Sequence, residues 1–288
     1  VPELPEVESV RRGLEPHVVG RVVARVRSVR LDFALRESGE PASPRDLLQG
    51  TTIESLHRRG KLMWAVGGNG GVVAMHLGMS GEMRIVPPEQ AVPAEFRGPR
   101  SHVHVMWALD DSTRWLFRDP RRFGGVWCYA SHAAFEAAHL SRLGPDALDI
   151  TPEELAGGLA GSRRAGSTRA IKAALLDQSV VAGVGNIYAD EALFEVAMHP
   201  ARRAGSLRTD DIGRLTAAIH GVLGRALVSG GSTLRDYRDA SGGAGNAQLG
   251  HRAYGRVGLP CVRCGATMKQ TTIAQRTTTY CATCQHKQ

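Results

Sequence analysis

The sequence predicts an α+β multidomain protein: an N-terminal helix plus a β-sandwich, then a helical domain, then a C-terminal zinc ribbon finger. Three observations predict it. Short apolar runs punctuated by Gly, Pro and Asp fill the first part, the apolar spacing changes to a helical period from about residue 131, and four of the five cysteines stand in the last 28 residues. At 288 residues the chain exceeds what one core usually holds. Segments 1–135, 136–240 and 241–288 are the expected divisions.

Taken in order, Val7, Val10, Leu14 and Val18 recur at helical spacing, so an amphipathic helix over residues 5–19 follows the N-terminal segment directly. Strand-like runs follow at 21–29, 51–57, 61–66, 71–77, 102–108, 114–118 and 124–129. Such a series reads as a sandwich or barrel. The stretch from Pro87 to Pro99, rich in Pro and polar residues, reads as a surface loop. Farther on, Leu175, Leu176, Ile187, Ala192 and Leu193, then Ile212, Leu215, Ile219, Val222, Leu223 and Leu227, fit a 3.6-residue period, with Gly-rich breaks at 183–185 and 230–231. Ser241-Gly242-Gly243-Ala244-Gly245 is flexible by composition and reads as a mobile loop or linker.

The tail reads Cys261-Val262-Arg263-Cys264, a 16-residue spacer, then Cys281-Ala282-Thr283-Cys284. Each short loop can set two thiolates on one tetrahedral Zn2+, and the spacer suits the hairpin of a zinc ribbon. With no secretory signal, disulfides are the weaker reading. A closed four-thiolate site is structural, so one zinc folds the tail without doing chemistry. Cys128, in an apolar stretch, reads as core.

A net charge of +8 and a pI near 9.7 favour a polyanionic partner, nucleic acid ahead of an anionic membrane because no basic amphipathic helix stands out. No apolar run approaches the roughly 18 residues of a membrane span, and no signal-like segment opens the chain, so a cytosolic protein is expected. Only Lys61, Lys172, Lys269 and Lys287 among the 36 basic residues are lysines. A compact amine transfers protons as Arg cannot, which singles out Lys61 and Lys172. Pro2 beside Glu3 is the other chemically suggestive pair. If residue 1 is removed, Pro2 presents a secondary amine next to a carboxylate; if residue 1 stays, that nitrogen is an inert amide.

Five ordered stretches then carry a resemblance. Pro2-Glu3-Leu4-Pro5-Glu6-Val7-Glu8, His76-Leu77-Gly78-Met79-Ser80-Gly81, Asp119-Pro120-Arg121-Arg122-Phe123-Gly124, Gly183-Val184-Gly185-Asn186-Ile187-Tyr188-Ala189-Asp190-Glu191 and the four-cysteine finger resemble the formamidopyrimidine-DNA glycosylases, from one end of the chain to the other. The resemblance implies a bifunctional base-excision enzyme for 8-oxoguanine and ring-opened formamidopyrimidines in double-stranded DNA. It also implies a helix-two-turn-helix element over Lys172 to Phe194.

The same resemblance distributes roles. Pro2 is the implied nucleophile and Glu3 the acid/base at the sugar. Lys61 is expected to hold a phosphate near the lesion and assist proton transfer, and Arg276 to grip the backbone and serve the second elimination. Extruding a base costs a few kcal/mol of unstacking. Met79 and Phe123 are therefore expected to fill the hole while Arg121 meets the orphaned cytosine. Without the resemblance Met79 and Phe123 would read as core, and Arg121 as surface charge. Lys172 and Asn186 are expected at phosphates, with Gly183 and Gly185 allowing close backbone approach.

Departures from the family pattern carry their own expectations. Where many members have a histidine before His-x-Val, this chain reads Arg100-Ser101-His102-Val103, and the DNA contact passes to Arg100. The loop that closes over the extruded base in the family reads Gly242-Gly243-Ala244-Gly245-Asn246-Ala247 here, which bears on lesion preference. Two alternatives stand beside the main reading: an endonuclease VIII-like enzyme for oxidised pyrimidines, and a non-catalytic zinc-ribbon protein that recognises damaged DNA. Leu4 and the Arg-Arg-Phe run favour the purine enzyme. A valine-coded start is initiated with methionine, and methionine before proline is readily trimmed, so Pro2 is the expected mature N-terminus. Nothing suggests oligomerisation, and a monomer is expected.

Overall fold

The computed structural model describes residues 2–28, 32–98, 101–163 and 168–286. The chain divides into two compact units, residues 1–141 with 229–246, and residues 142–228 with 247–288. Among the described residues no helix is long and apolar enough to cross a membrane.

The first unit opens with α1 (Leu4–Val18), whose Leu4, Val7, Val10, Leu14 and Val18 are all buried, as their spacing requires. Nine strands follow: β1 (Val23–Ser28), β2 (Ala34–Arg36), β3 (Ile53–Arg59), β4 (Leu62–Gly67), β5 (Val72–His76), β6 (Glu82–Val86), β7 (Val103–Leu109), β8 (Arg114–Arg118) and β9 (Gly125–Tyr129). They form a four-stranded sheet, β1-β7-β8-β6, and a five-stranded sheet, β2-β9-β5-β4-β3. Every pairing is antiparallel except β2 with β9. Met63, Val73 and Val126 from one sheet share a core with Val105, Trp107 and Phe117 from the other, and α1 closes it. Trp107 stacks on Trp115 at 4.3 Å within that core. The expected sandwich is present, with two strands, β2 and β6, that periodicity did not reveal. α2 (His132–Ala138) covers the outer face of the five-stranded sheet through Phe135.

Segment 229–246 packs on this unit, not with the helical segment or as a linker. Tyr237 and Ala240 join the sandwich core, and Ile85 donates its N–H to the carbonyl of Ala240 at 2.9 Å. The glycine run is held by Asp239, whose carboxylate accepts the N–H groups of Ser241 at 2.9 Å and Gly243 at 2.7 Å. Composition suggested a loop, and the structure forms it as an Asp-anchored turn.

The second unit contains α3 (Pro152–Leu159), α4 (Ile171–Leu175), α5 (Asn186–Glu195) and α6 (Thr209–Val228), then the hairpin β10 (Lys269–Ile273) with β11 (Arg276–Tyr280). Between α4 and α5, Gln178 braces two turns by donating to the carbonyls of Leu176 and Val184 and accepting from Gly183 N–H. Glu191 on α5, 5% exposed, accepts the N–H groups of Arg252, Ala253 and Tyr254. Phe194 shares a small core with Met268, Cys261 and Cys281, so the finger is seated on α5.

Candidate active site and nucleic-acid interface

Pro2 and Glu3 stand immediately before α1, and both are buried. Glu3 N–H donates to the carboxylate of Glu6 at 2.7 Å, the reciprocal bond expected when an acidic residue occupies the third helical position. The other oxygen of Glu6, which is 1% exposed, accepts Ser232 N–H at 2.7 Å. A single buried carboxylate thus ties the N-terminal segment to the 229–246 segment. Nothing in the local sequence assigned Glu6 that task, because its second partner lies 226 residues away.

Lys61 sits in the β3–β4 turn, half-buried, directly after Gly60 with φ +58°. A left-handed residue at the tip of a tight hairpin favours glycine. Leu62 pairs with His76 across β4 and β5. Burial pushes the His76 imidazole down to about 4, and the Lys61 ammonium adds to the shift. His76 is therefore neutral, and its Nδ1 accepts Gly78 N–H at 3.0 Å. His76 thus pairs with the strand that leaves the lysine turn and anchors the loop that begins at Gly78.

That loop and residues 119–124 are joined backbone to backbone. Gly78, at φ +60°, would drive a Cβ to 2.3 Å from Gly124 N. Asp119, fully buried, accepts Ser80 Oγ at 2.6 Å and Gly124 N–H at 2.7 Å, and Ser80 Oγ accepts Arg121 N–H at 3.2 Å. The joint leaves Met79 at 36% and Phe123 at 58% exposure, and sets the Arg121 guanidinium over the Phe123 ring at 5.0 Å. Two large apolar side chains and a guanidinium are thus presented together at one surface by a buried polar joint. Beside Arg121 lies a cavity of about 500 Å³ lined by Ser80, Arg84, Arg118, Arg235, Asp236 and Gly242 among others. Arg100 lies outside the described residues.

In the second unit the expectation for Lys172 is corrected. Its side chain is 0% exposed, and its Nζ lies 2.6 Å from Asp190 Oδ1, 2.8 Å from Thr278 Oγ1 and 3.1 Å from the Thr277 carbonyl. An ammonium enclosed by a carboxylate and two hydrogen-bond acceptors has no surface to offer a phosphate. Asp190, 1% exposed, also accepts Thr279 N–H at 3.0 Å. Burial raises the Asp190 carboxyl to about 6 even against the pull of Lys172. Asn186, the first residue of α5, is half-exposed and donates its side-chain amide to the same Thr277 carbonyl at 3.0 Å. Arg276, the residue before, is exposed at the start of β11. Lys172, Asp190 and Asn186 thereby fix the strand that carries Arg276.

The sulfurs of Cys261, Cys264, Cys281 and Cys284 all lie within 4.8 Å of one another, and none is in a disulfide. Tetrahedral zinc with Zn–S near 2.3 Å needs sulfurs about 3.8 Å apart, so the donor set fits a closed structural zinc. Backbone N–H groups of Arg263 and Cys284 approach Cys261 and Cys281 Sγ at 3.4 Å, the kind of outer partner that orients thiolate ligands.

Three family models match the chain. The formamidopyrimidine-DNA glycosylase N-terminal domain matches residues 1–126, the formamidopyrimidine-DNA glycosylase H2TH domain residues 143–238, and the zinc finger found in FPG and IleRS residues 258–287. Among curated relatives, the formamidopyrimidine-DNA glycosylase of Laribacter hongkongensis is 41% identical over 295 residues, covering 99% of this chain and all of the relative. That of Roseiflexus sp. is 41% identical over 288 residues with the same coverage. Among solved structures, the MutM (Fpg) protein from Thermus thermophilus superposes with a TM-score of 0.81 at 37% identity, covering 100% of both chains. The Lactococcus lactis Fpg in complex with abasic site containing DNA gives 0.84 at 30% identity, covering 99% of this chain and 100% of that one.

Proposed function

We propose, because the chain belongs to the formamidopyrimidine-DNA glycosylase family, that it excises oxidised purines from duplex DNA and then cuts the strand at the abasic site. It is a DNA glycosylase of base excision repair carrying one structural zinc. The observation that carries the residue-level reading is the buried Pro2-Glu3 pair, locked through Glu6 at the start of α1. A nucleophile and an acid/base fixed on a rigid helix end are placed for one sugar.

With residue 1 absent, the Pro2 amine attacks C1′ as the glycosidic bond breaks; the base leaves with the bonding electrons and takes up a proton, and the proline nitrogen sheds its own. Glu3 delivers a proton to the ring oxygen, which opens the sugar and leaves an iminium ion on the proline nitrogen. The iminium acidifies the 2′-hydrogen; its loss expels the 3′ phosphate, and a second elimination expels the 5′ phosphate. An α-amino group, with a usual pKa of about 7.7–8.0, sheds its proton more readily than a lysine at about 10.4. Lys61 holds a phosphate beside the sugar, and Arg276 with Asn186 grips the backbone for the second elimination.

Met79, Phe123 and Arg121 take the space of the extruded nucleotide, Arg121 donating to the orphaned cytosine. Their exposure and shared buried joint support that assignment. The cavity beside Arg121, bordered by Asp236 and Gly242, is where lesion preference is set. Lys172 is left out of the DNA contacts, because it supports Arg276 from within. A protein acting on chromosomal DNA in bacteria, as the relatives are, works in the cytosol.

Borohydride trapping on an 8-oxoguanine duplex tests the reading. A covalent adduct is expected from protein whose intact mass begins at Pro2. Protein of that mass that binds the duplex yet neither traps nor cuts it would refute the enzymatic reading in favour of damage recognition alone. Preferential trapping on an oxidised pyrimidine would favour the endonuclease VIII-like alternative.

A further inference from the structure

Glu8 lies on α1, five residues past Glu3, with its side chain only 8% exposed. Three guanidinium groups converge on its carboxylate: Arg11 at 3.0 Å, Arg12 at 2.7 Å and Arg58 at 2.9 Å. Arg11 and Arg12 sit on the same helix and have solvent beside them. Arg58 does not. It comes from the end of β3, 50 residues away, and its side chain is 6% exposed. Its Nε donates to Glu8 while its Nη1 donates to the Gly60 carbonyl at 3.0 Å. Gly60 is the left-handed residue that turns the chain into Lys61. Arg11 adds a weaker tie to β3 through the Leu56 carbonyl at 3.3 Å.

A planar guanidinium spanning two acceptors fixes both distance and angle, which an ammonium on a flexible stem cannot. We infer that Glu8 and Arg58 are positioning residues that hold the Lys61 turn in register with the helix carrying Pro2 and Glu3. Neither touches the DNA. The pair transmits the helix position to the lysine turn: α1 to Glu8, Glu8 to Arg58, Arg58 to Gly60, Gly60 to Lys61. Burial works to raise the Glu8 carboxyl, but hydrogen bonds from the three guanidiniums outweigh it and hold the group at about 2, so the clamp is charged throughout the working pH range.

This inference rests on Lys61 acting at the sugar-phosphate, so the test separates the two claims by a double-mutant cycle. Arg58→Met keeps the buried stem and removes the fork. Lys61→Ala removes the end of the chain of contacts. Single-turnover cleavage of an abasic-site duplex is measured for each variant and the pair, beside the Kd for a duplex with a reduced abasic site. Arg58→Met is expected to slow cleavage on the order of 100-fold, the cost of a misplacement near 1 Å, with Kd within about 3-fold. In the Lys61→Ala background the same change is expected to cost less than about 3-fold, because there is no lysine left to misplace.

Arg58→Lys should rescue little, since one ammonium cannot hold both acceptors. An equal loss in both backgrounds would overturn the clamp while leaving Lys61 intact. Wild-type cleavage by Lys61→Ala would overturn the Lys61 reading and the clamp with it. Should Arg58→Met fail to fold, Glu8→Gln, which keeps size and removes charge, enters the same cycle with the same expected and contrary outcomes.

Discussion

Replacing Lys172 with methionine distinguishes a buried tie from a phosphate contact. The wild-type ammonium and the Asp190 carboxylate, 0% and 1% exposed, lie 2.6 Å apart. Removing one member strands the other without a counter-charge, which costs about 3–5 kcal/mol. The cost depends on pH in a determined direction. Asp190 is raised from 3.8 to about 6, so its contribution to stability is fully present below 3.8 and is lost as pH rises through about 6. Without the lysine the folded carboxyl titrates higher still, and the variant goes on losing stability where the wild type has stopped. The deficit of Lys172→Met is therefore larger near about pH 8 than near about pH 5.5.

All four tryptophans, Trp64, Trp107, Trp115 and Trp127, belong to the first unit. Zinc release to a chromogenic chelator during urea denaturation follows the second unit, and tryptophan fluorescence follows the first. An earlier zinc-release midpoint with an unchanged fluorescence midpoint is expected. Adding Asp190→Asn, which retains an acceptor for Thr279 N–H, should recover much of the loss. A variant with normal zinc release, whose DNA affinity loses about 0.9 from its log–log salt slope, would show that Lys172 neutralises a phosphate and refute the buried tie.

Pro2→Gly is expected to keep the wild-type melting curve and much DNA binding while losing borohydride trapping and strand cleavage; global unfolding would contradict a purely chemical role. Cys261→Ala should lose zinc by elemental analysis and weaken DNA binding, with the fluorescence transition of the sandwich unchanged; full zinc content would refute the four-thiolate site. Gly78→Ala forces a left-handed residue and a Cβ 2.3 Å from Gly124 N, so the joint between the Met79 and Phe123 loops should open. A loss of about 2 kcal/mol or more in the fluorescence-monitored transition is expected, and an unchanged midpoint would refute the joint. Glu8, lowered from 4.5 to about 2, contributes stability present above 4.5 and lost as pH falls toward 2. Fluorescence-monitored stability of Glu8→Gln should thus be flatter across that window than wild type; parallel curves would show that Glu8 does not drive the acid sensitivity.

Local pattern made α1 and most of the sandwich legible, because Val7, Val10, Leu14 and Val18 face one core and the central strands β4 and β5 are apolar runs, buried almost throughout and bounded by turn residues. β2 is three residues long and pairs parallel to a distant strand, too short for any alternation to register. β6 escaped because Glu82 and Arg84 interrupt its apolar character, although Glu82 is 7% exposed and paired with Arg84. The site residues were legible as types and illegible as depths. Lys172 and a surface lysine look alike in sequence; what distinguishes it is Asp190, 18 positions on, together with Thr278, 106 positions on. Ser80 with Asp119, and Glu8 with Arg58, are likewise pairs whose members lie 39 and 50 positions apart.

In each unit a cation proposed to meet DNA is backed by a buried ion pair. Lys61 follows the turn held by Arg58 and Glu8; Arg276 starts the strand held by Lys172 and Asp190. Stability does not explain the choice, since well-packed apolar residues of the same volume commonly stabilise a fold as much or more. Orientation does. Each of these cations sits at a turn, Lys61 beside a left-handed glycine and Arg276 beside the hairpin turn at Ala274 and Gln275. Apolar packing cannot fix such a segment to within the fraction of an ångström that a charge contact demands, whereas directional bonds to Gly60 and Thr277 carbonyls can. Replacing both members of either pair by apolar residues should consequently cost less stability than removing one member and still lower the cleavage rate, a separation that no account based on stability alone produces.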